Sequence, residues 1–466
     1  MTHPDRLSRP ALLLAALVAA LVAGLPAPAG AVDGDLDSTF GTNGVTLQQI
    51  GLDTSVANDV AVLGDRIYAT GITIGFSDAD FWVGRFSAGG TYLGGTGVVF
   101  DQVQNGIDIG WSLAAAPGDK IVVAGTVAVS GPTSYIGVAR LTSNLDLDSS
   151  FNGTGKVVLG FGGLEFTTPQ VAVAGDGSVF VGVTFGSGSG TDRDFGLFKL
   201  DSSGAPDGTF GSFGFSSVAF DFGGGLRDLL SGIALQPDGK IVLAGSAEWS
   251  DPDYDFALAR LLGNGSPDTG FGGYGTGRTF VGWDLVSPMT DQARTVALAP
   301  DGRIAVVGLA SASPIPVGAV AMFAPSGNLL YAFNSGGKQT VQWIGCGGGD
   351  CSPFRNELTG AAFLGDGSLF VSGLAVVQQY VNGDLGVARL LPNGSFDAGF
   401  KGGGYYLYNN LSSGWDEAVA TTLFGGRPVV TGQRDGVWEL VRLQENLIFR
   451  DGFEVGSTGQ WSSAAP

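Results

Sequence analysis

Beyond residue 31 the chain is a succession of short stretches in which apolar side chains alternate with glycine, alanine or polar residues, and none keeps the 3.6-residue spacing of an amphipathic helix. Alternation of period two sends successive side chains to opposite faces, so the pattern predicts β-structure throughout. One stretch recurs seven times: DFWVGRF (80–86), YIGVARL (135–141), DFGLFKL (194–200), DFALARL (255–261), VGAVAMF (317–323), DLGVARL (384–390) and VWELVRL (437–443). Its penultimate position holds Arg85, Arg140, Lys199, Arg260, Met322, Arg389 and Arg442, at an interval of about sixty residues. Regular self-similarity of that length predicts a repeat architecture.

A second stretch precedes each copy, as in GDKIVVAG (118–125), DGKIVLAG (238–245) and DGRIAVVG (301–308). It ends on Gly71, Gly125, Gly182, Gly245, Gly308, Gly373 or Gly432. A third stands before that, as in NDVAVL from Asn58, GIALQ from Gly232 and TVALA from Thr295. The Asp-Gly pairs between them, at 176–177, 238–239, 301–302 and 366–367, predict two-residue type I′ hairpins, which need positive φ at both positions. A fourth element reads Asp-x-x-Phe, with Asp148 and Phe151, Asp207 and Phe210, Asp268 and Phe271, and Asp397 and Phe400; the stretches after Gly90 and Gly327 are degenerate. One more copy, Asp37 and Phe40, opens the chain after residue 31, while the seventh unit runs into a different tail. A fourth strand supplied by the N-terminus would complete the last unit and remove the open sheet edges. The expectation is an all-β, seven-bladed β-propeller of four-stranded antiparallel blades over residues 32–446, closed by that N-terminal strand.

The combination LDxxFGxxG, DGKIVxAG and DFALARL at this interval resembles the bacterial delta-60 repeats, a β-propeller family of unknown function. The resemblance spans residues 34–443 and is strongest in the second, third and fourth units; Met322 and the GGRPVV around Arg427 depart from it. It implies a propeller and assigns no activity.

Residues 1–31 have a different texture. Arg6 and Arg9 precede the apolar run from Ala11 to Leu25, and Ala29-Gly30-Ala31 follows, the pattern of a cleavable signal peptide. The run is shorter than the roughly 20 residues a bilayer span needs. Export to the periplasm or the outside is the expectation, with no membrane span in the mature chain. Residues 447–466 read as a separate tail, whose Phe-x-Asp-Gly-Phe-Glu-x-Gly box resembles a C-terminal segment of some exported bacterial proteins.

Charge and composition then exclude several chemistries. The chain carries 43 acidic against 23 basic side chains, a formal net charge of −20, and its one histidine, His3, lies in the leader. Without histidine there is no Ser-His, Cys-His or His-metal mechanism, and the negative charge argues against a nucleic-acid partner. Cys346 and Cys351, in IGCGGGDCSP, are expected to form a small local disulfide in an oxidising compartment.

Candidate chemistry gathers on one rim. Short links join the first to the second and the third to the fourth elements, so the second-to-third and fourth-to-first loops should share the opposite, longer-looped rim, where ligands are usually met. Trp249, Trp283, Trp343 and Trp415 fall in those loops with Tyr405, Tyr406 and Tyr408. They read either as flat anchors for a glycan or protein ligand, or as rings plugging gaps between blades. Acidic pairs recur before the third strand: Asp78 with Asp80, Asp192 with Asp194, and Asp251, Asp253 and Asp255. Alternate carboxylates are ligands of the kind calcium takes, and the last three are the candidate metal set; the other reading is turn capping in solvent. The basic residue of the third strand precedes the Asp of the fourth element by eight positions, which suggests cross-strand ion pairs worth about 0.2–1 kcal/mol each when exposed. The resulting reading is an exported, monomeric, non-catalytic binding or scaffold propeller, with no cofactor beyond a possible calcium ion. The alternative is a histidine-free carbohydrate-active enzyme using Asp and Glu.

Overall fold

The computed structural model describes residues 32–445 apart from 52–53, 75–78, 101–107, 129–133, 161–163, 188–191, 222–225, 252, 274, 284, 286–289, 313–314, 344–354, 379–381 and 409–415. Residues 1–31 and 446–466, which include the segments read above as a signal peptide and a tail, therefore lie outside the described residues. Blade 1 comprises β2 (Ser55–Leu63), β3 (Arg66–Ile74), β4 (Ala79–Ser87) and β5 (Tyr92–Val98), after a separate β1 (Val45–Gln48). Blade 2 comprises β6 (Ile109–Ala116), β7 (Lys120–Ala128), β8 (Ser134–Thr142) and β9 (Lys156–Leu159). Blade 3 comprises β10 (Leu164–Val173), β11 (Val179–Ser187), β12 (Asp194–Leu200) and β13 (Phe215–Val218). Blade 4 comprises β14 (Asp228–Leu235), β15 (Ile241–Ser250), β16 (Asp253–Leu261) and β17 (Arg278–Val281). Blade 5 comprises β18 (Gln292–Leu298), β19 (Ile304–Ala310), β20 (Val317–Phe323) and β21 (Lys338–Val341). Blade 6 comprises β22 (Arg355–Phe363), β23 (Leu369–Gln378), β24 (Asn382–Leu390) and β25 (Tyr405–Tyr408). The last sheet has the order β1-β28-β27-β26, from β26 (Asp416–Phe424), β27 (Arg427–Arg434) and β28 (Val437–Arg442).

Each of the seven sheets has four antiparallel strands. In the last, Val45 lies opposite Val441 and Gln48 opposite Trp438, so the start of the chain supplies the outer strand of blade 7. Adjacent blades meet through buried clusters that mix residues of both. Phe40, Ile50 and Phe86 pack with Val429, Trp438 and Leu440 where blade 7 meets blade 1. Phe256 and Trp283 pack with Val306 and Phe323 between blades 4 and 5. The core is thus a ring of interfaces between sheets. No described helix is long and apolar enough to cross a membrane.

The repeated second-strand glycine has a geometric cause. In six blades the innermost strand carries a one-residue bulge against the second strand, leaving Asn58, Trp111, Ser231, Arg294, Thr359 and Val419 outside the pairing; in blade 3 the slip falls between Thr167 and Gln170. The bulge drives a carbonyl toward the partner strand. A Cβ on Gly71, Gly125, Gly245, Gly308, Gly373 or Gly432 would stand within 2.1 Å of the oxygen of Val56, Ile109, Leu229, Gln292, Glu357 or Glu417. Only glycine fits there, and the bulge recurs because the glycine does.

Two expectations about turns need correction. At the Asp-Gly pairs only glycine takes positive φ, as at Gly239 (82°) and Gly302 (86°), while Asp238 and Asp301 do not. Gly239 N donates to Gln236 O and Gln236 N to Lys240 O, which makes a three-residue loop with a type I turn and a bulged glycine. Pro237 and Pro300 set the φ that the first turn position requires, and the Asp carboxylate accepts from the amide two residues on (3.2 Å to Lys240 N). The two-residue form with positive φ at both positions occurs at Gly425-Gly426 and at a further Asp-Gly pair, Asp435-Gly436.

The second correction concerns the fourth element. Asp-x-x-Phe is a folded turn before the outer strand, within connections 143–155, 201–214, 262–277 and 391–404, with Leu330 in place of Asp in 324–337, and the strand after it has four residues. The rim expected to be tight therefore carries long connections too, but these are packed: Phe151, Phe210, Phe271, Phe333 and Phe400 are all buried.

Candidate functional site

At that turn rim the expected basic–acidic pairs are present. Arg140 and Arg260 each donate through Nε to the Asp eight residues on, at 2.8 Å, and Lys199 pairs with Asp207 at 2.8 Å. They are not exposed cross-strand pairs, because the guanidinium lies buried over the motif's phenylalanine, 4.7 Å from Phe151 and 4.4 Å from Phe271. It also reaches the next blade: Arg140 Nη1 donates to Ser202 O and Arg260 Nη1 to Pro325 O, both at 2.6 Å. Arg442 repeats this with Asp37 (2.8 Å) and Ala88 O (2.5 Å). Arg389, 0 % exposed, binds Asp397, Asp33 and Glu445, and so ties both ends of the described chain to blade 6. These side chains are rivets between blades, fully engaged with protein.

The opposite rim differs. Here the innermost strands begin, and a cavity of about 450 Å³ opens on the axis, lined from all seven of them. Asn58, Trp111, Ser231, Arg294, Thr359 and Val419, the six bulged residues, all line it. A bulge re-aims one side chain per blade, so six copies of a backbone irregularity set diverse side chains around one cavity, which Gln170 lines from blade 3. Asn58 Nδ2 donates to Gly110 O (2.8 Å) and Trp111 Nε1 to Thr126 Oγ1 (3.1 Å). Arg294 pairs with Glu357 of blade 6, and its Nη2 donates to Gln292 Oε1 at 3.0 Å. Asp59 is held up at about 6 by burial, against hydrogen bonds from Leu113 N, Val60 N and Ser112 Oγ. The lining mixes these polar groups with apolar side chains such as Leu229, Leu230 and Val419, and holds one guanidinium and one indole. A further cavity of about 550 Å³ lies between blades 3 and 4 at the turn rim; its one lysine, Lys199, is already spent on Asp207.

The tryptophans predicted as anchors separate into three cases. Trp283 and Trp343 are buried, the latter 1 % exposed with Nε1 donating to Val387 O (3.0 Å). Each occupies a recurrent slot in the link between blades, where its backbone N–H donates to a side chain that opens the next blade: Trp283 to Asp291 (2.6 Å) and Trp343 to Asn356 (3.1 Å). Phe100 with Asp108 and Phe220 with Asp228 fill the same slot elsewhere, so these two tryptophans take the gap-plugging position. Trp249 is 42 % exposed at the end of β15, its ring 5.7 Å from Phe280. Trp415 lies outside the described residues, as do Cys346, Cys351 and Asp78. Tyr405, Tyr406 and Tyr408 form the outer strand of blade 6 and not a loop, with the Tyr408 hydroxyl donating to Gly34 O.

The predicted metal residues also move. Asp251 is exposed and lies 4.0 Å from Arg227, while Asp253 and Asp255 stand along β16. Their ligand atoms are not among those that gather closely. Among the described residues, the three acidic side chains whose ligand atoms lie within 4.8 Å of one another are Asp192, Asp194 and Asp221. The adjacent pair 192 and 194 was legible; Asp221, on the following link, was not. Trp111 and Arg294 were missed too. Their signal was a residue breaking the apolar alternation one place after the partner of the second-strand glycine.

Three segments, 118–151, 236–271 and 364–400, match a family described as "Domain of unknown function (DUF5122) beta-propeller". Each of the three segments is similar to that family's propeller repeat. They are the repeats of blades 2, 4 and 6, the three that combine an Arg rivet, its Asp and the following Phe within one blade. The delta-60 resemblance is consistent with that family, and its function is unknown. No curated protein matches the chain. Among solved structures, the chain is similar to the polysaccharide lyase Uly1 at 12 % identity and a TM-score of 0.48, covering 83 % of this chain and 90 % of that one. It is similar to Drosophila Semaphorin 1a, extracellular domains 1-2, at 9 % and 0.45, covering 88 % and 89 %. An α-L-arabinanase of Penicillium chrysogenum complexed with arabinobiose follows at 12 % and 0.42, covering 72 % and 92 %. Likeness at this level carries no argument about the activity of this chain.

Proposed function

We propose that the protein is an exported, non-catalytic binding module that takes a small, neutral, polyhydroxylated ligand, such as the end of a glycan, in the axial cavity at the loop rim. The observation that carries this is the ring of bulged residues. Seven blades converge on one cavity whose volume lies within the roughly 300–1,000 Å³ range of ligand pockets. Asn58, Gln170 and Thr359 offer hydroxyl-binding groups, and Trp111 offers an indole on which a sugar face packs. The one nearby guanidinium, Arg294, is neutralised by Glu357, so a charged ligand gains little. Export is supported by the charged, apolar and small-residue pattern of residues 1–31, and a non-catalytic role by the lack of histidine in the rest of the chain.

A glycan array followed by calorimetry tests this. Binding by the full chain should weaken at least tenfold in Trp111→Ala and stay unchanged in Trp249→Ala. Equal affinity of both variants would remove the cavity from consideration, and sugar released from a retained glycan would make the protein an enzyme.

A further inference from the structure

We propose that the boundary of blades 3 and 4 on the loop rim is a divalent-cation site, calcium by its ligand chemistry, formed by Asp192, Asp194 and Asp221 with Asp228 as a fourth carboxylate. The site is separate from the axial cavity and independent of its ligand.

Local backbone pairing creates the cluster. Arg193 N donates to Leu226 O (2.7 Å) and Asp228 N to Arg193 O (2.8 Å), so the entry to β12 is laced to the link that carries Asp221 and Asp228. Ligand oxygens of Asp192, Asp194 and Asp221 then fall within 4.8 Å of one another. Two oxygens that bind one calcium ion at about 2.3–2.6 Å lie within twice that distance of each other, so the spacing is of the size that one shared ion requires.

A second observation points the same way. Asp228 is 1 % exposed, and its Oδ2 accepts from Phe220 N at 2.6 Å, but its Oδ1 is buried with no hydrogen-bond partner. Asp194 Oδ1 is likewise buried and unpartnered. Desolvated carboxylate oxygens without donors are costly, and a cation is the partner that carboxylates gathered in this way lack. The like charges face one another: Asp192 and Asp221 act on Asp194, and all three act on Asp228, beside the cluster. The nearest basic residue in sequence, Arg193, turns its Nη1 to the backbone oxygen of Asp192 (3.0 Å). Like-charged groups of this kind either hold protons or take a metal ion; oxygen-only donors select calcium or magnesium over softer metals.

Calcium titration of the metal-stripped full chain at pH 7.5, by calorimetry and by melting temperature, decides this. One ion should bind with half-saturation at or below about 1 mM, as in extracellular calcium modules, and raise the melting temperature. Asp194→Asn should weaken binding at least tenfold, and Asp221→Asn, in the link, serves if Asp194→Asn does not fold. The double variant Asp251→Asn with Asp253→Asn should bind as the parent does. No binding heat, a rise in melting temperature matched by sodium chloride of equal ionic strength, or a site lost with Asp251 and Asp253 but kept without Asp194 would each overturn the proposal.

Discussion

The two rims use the same acidic residue in opposite ways. On the turn rim Asp148 and Asp207 are held at about 2: for Asp148, hydrogen bonds from Ser150 and Arg140 outweigh burial, and for Asp207, hydrogen bonds from Lys199 and Thr209 dominate. Asp37 and Asp268 are lowered too, since hydrogen bonds and nearby arginines overcome their burial. On the loop rim burial wins. Asp59 and Asp194 rise to about 6, Asp384 to about 6 with a contribution from Asp416, and Asp228 and Glu439 to about 7, Glu439 despite Arg434. A propeller needs its blades bolted together once. Here the repeated basic–acidic bolts lie at the turns, and beside pairs such as that of Arg294 with Glu357 the other rim carries groups that are poorly matched by protein alone. Unsatisfied charge at a loop-bearing face is where recognition is expected.

The sharpest way to break this contrast is to remove the deepest bolt. Arg389→Ala leaves Asp33, Asp397 and Glu445 buried without their partner, and urea unfolding should show a loss of about 3–5 kcal/mol. Blade 5 offers the complementary experiment, because it keeps the backbone and drops the charges. Met322 N donates to Gly337 O and Leu330 N to Met322 O, as Arg140 N does to Gly155 O and Asp148 N to Arg140 O. Met322→Arg alone buries an unpaired cation and should cost about 3 kcal/mol; adding Leu330→Asp should recover most of it in a double-mutant cycle.

Acidity separates the rims next. Carboxyls with folded values below 3.8 stabilise above about pH 4 and lose that contribution as pH falls toward 2. Those raised to 6–7 stabilise below about pH 4 and lose it as pH rises through that range. The calcium-free melting temperature should therefore peak between about pH 4 and 6, and a monotonic rise to pH 8 would refute the contrast. Asp228→Asn, which keeps an acceptor for Phe220 N, should raise the calcium-free melting temperature by a few degrees at pH 8 and leave it unchanged at pH 4. The smallest effect is expected from Trp249→Ala, which should alter stability by about 0.5 kcal/mol or less, as at other exposed surface positions.

Much of the architecture was legible because each blade repeats one local solution. Gly308 recurs with five equivalents because a bulge carbonyl occupies the place of a side chain, and Arg260 precedes Asp268 by eight residues because one turn of fixed length brings them together. Such features depend on neighbours within a repeat, so period and residue type expose them. Met322 with Leu330 was read as degeneracy, although the backbone there is intact, because a sequence shows the loss of charge and not the conservation of shape.

From the order of residues alone came the number of blades, the strand pattern and the unit that supplies each rivet. Only the tertiary structure decided what meets across blades. It buried Trp283 and Trp343, moved the acidic cluster from Asp251 to Asp221, and gathered Trp111 and Arg294 on one axis. The reason is geometric: a site shared by two blades joins residues from different repeats, and their separation is set by how the sheets are angled around the ring, which periodicity within a repeat does not encode.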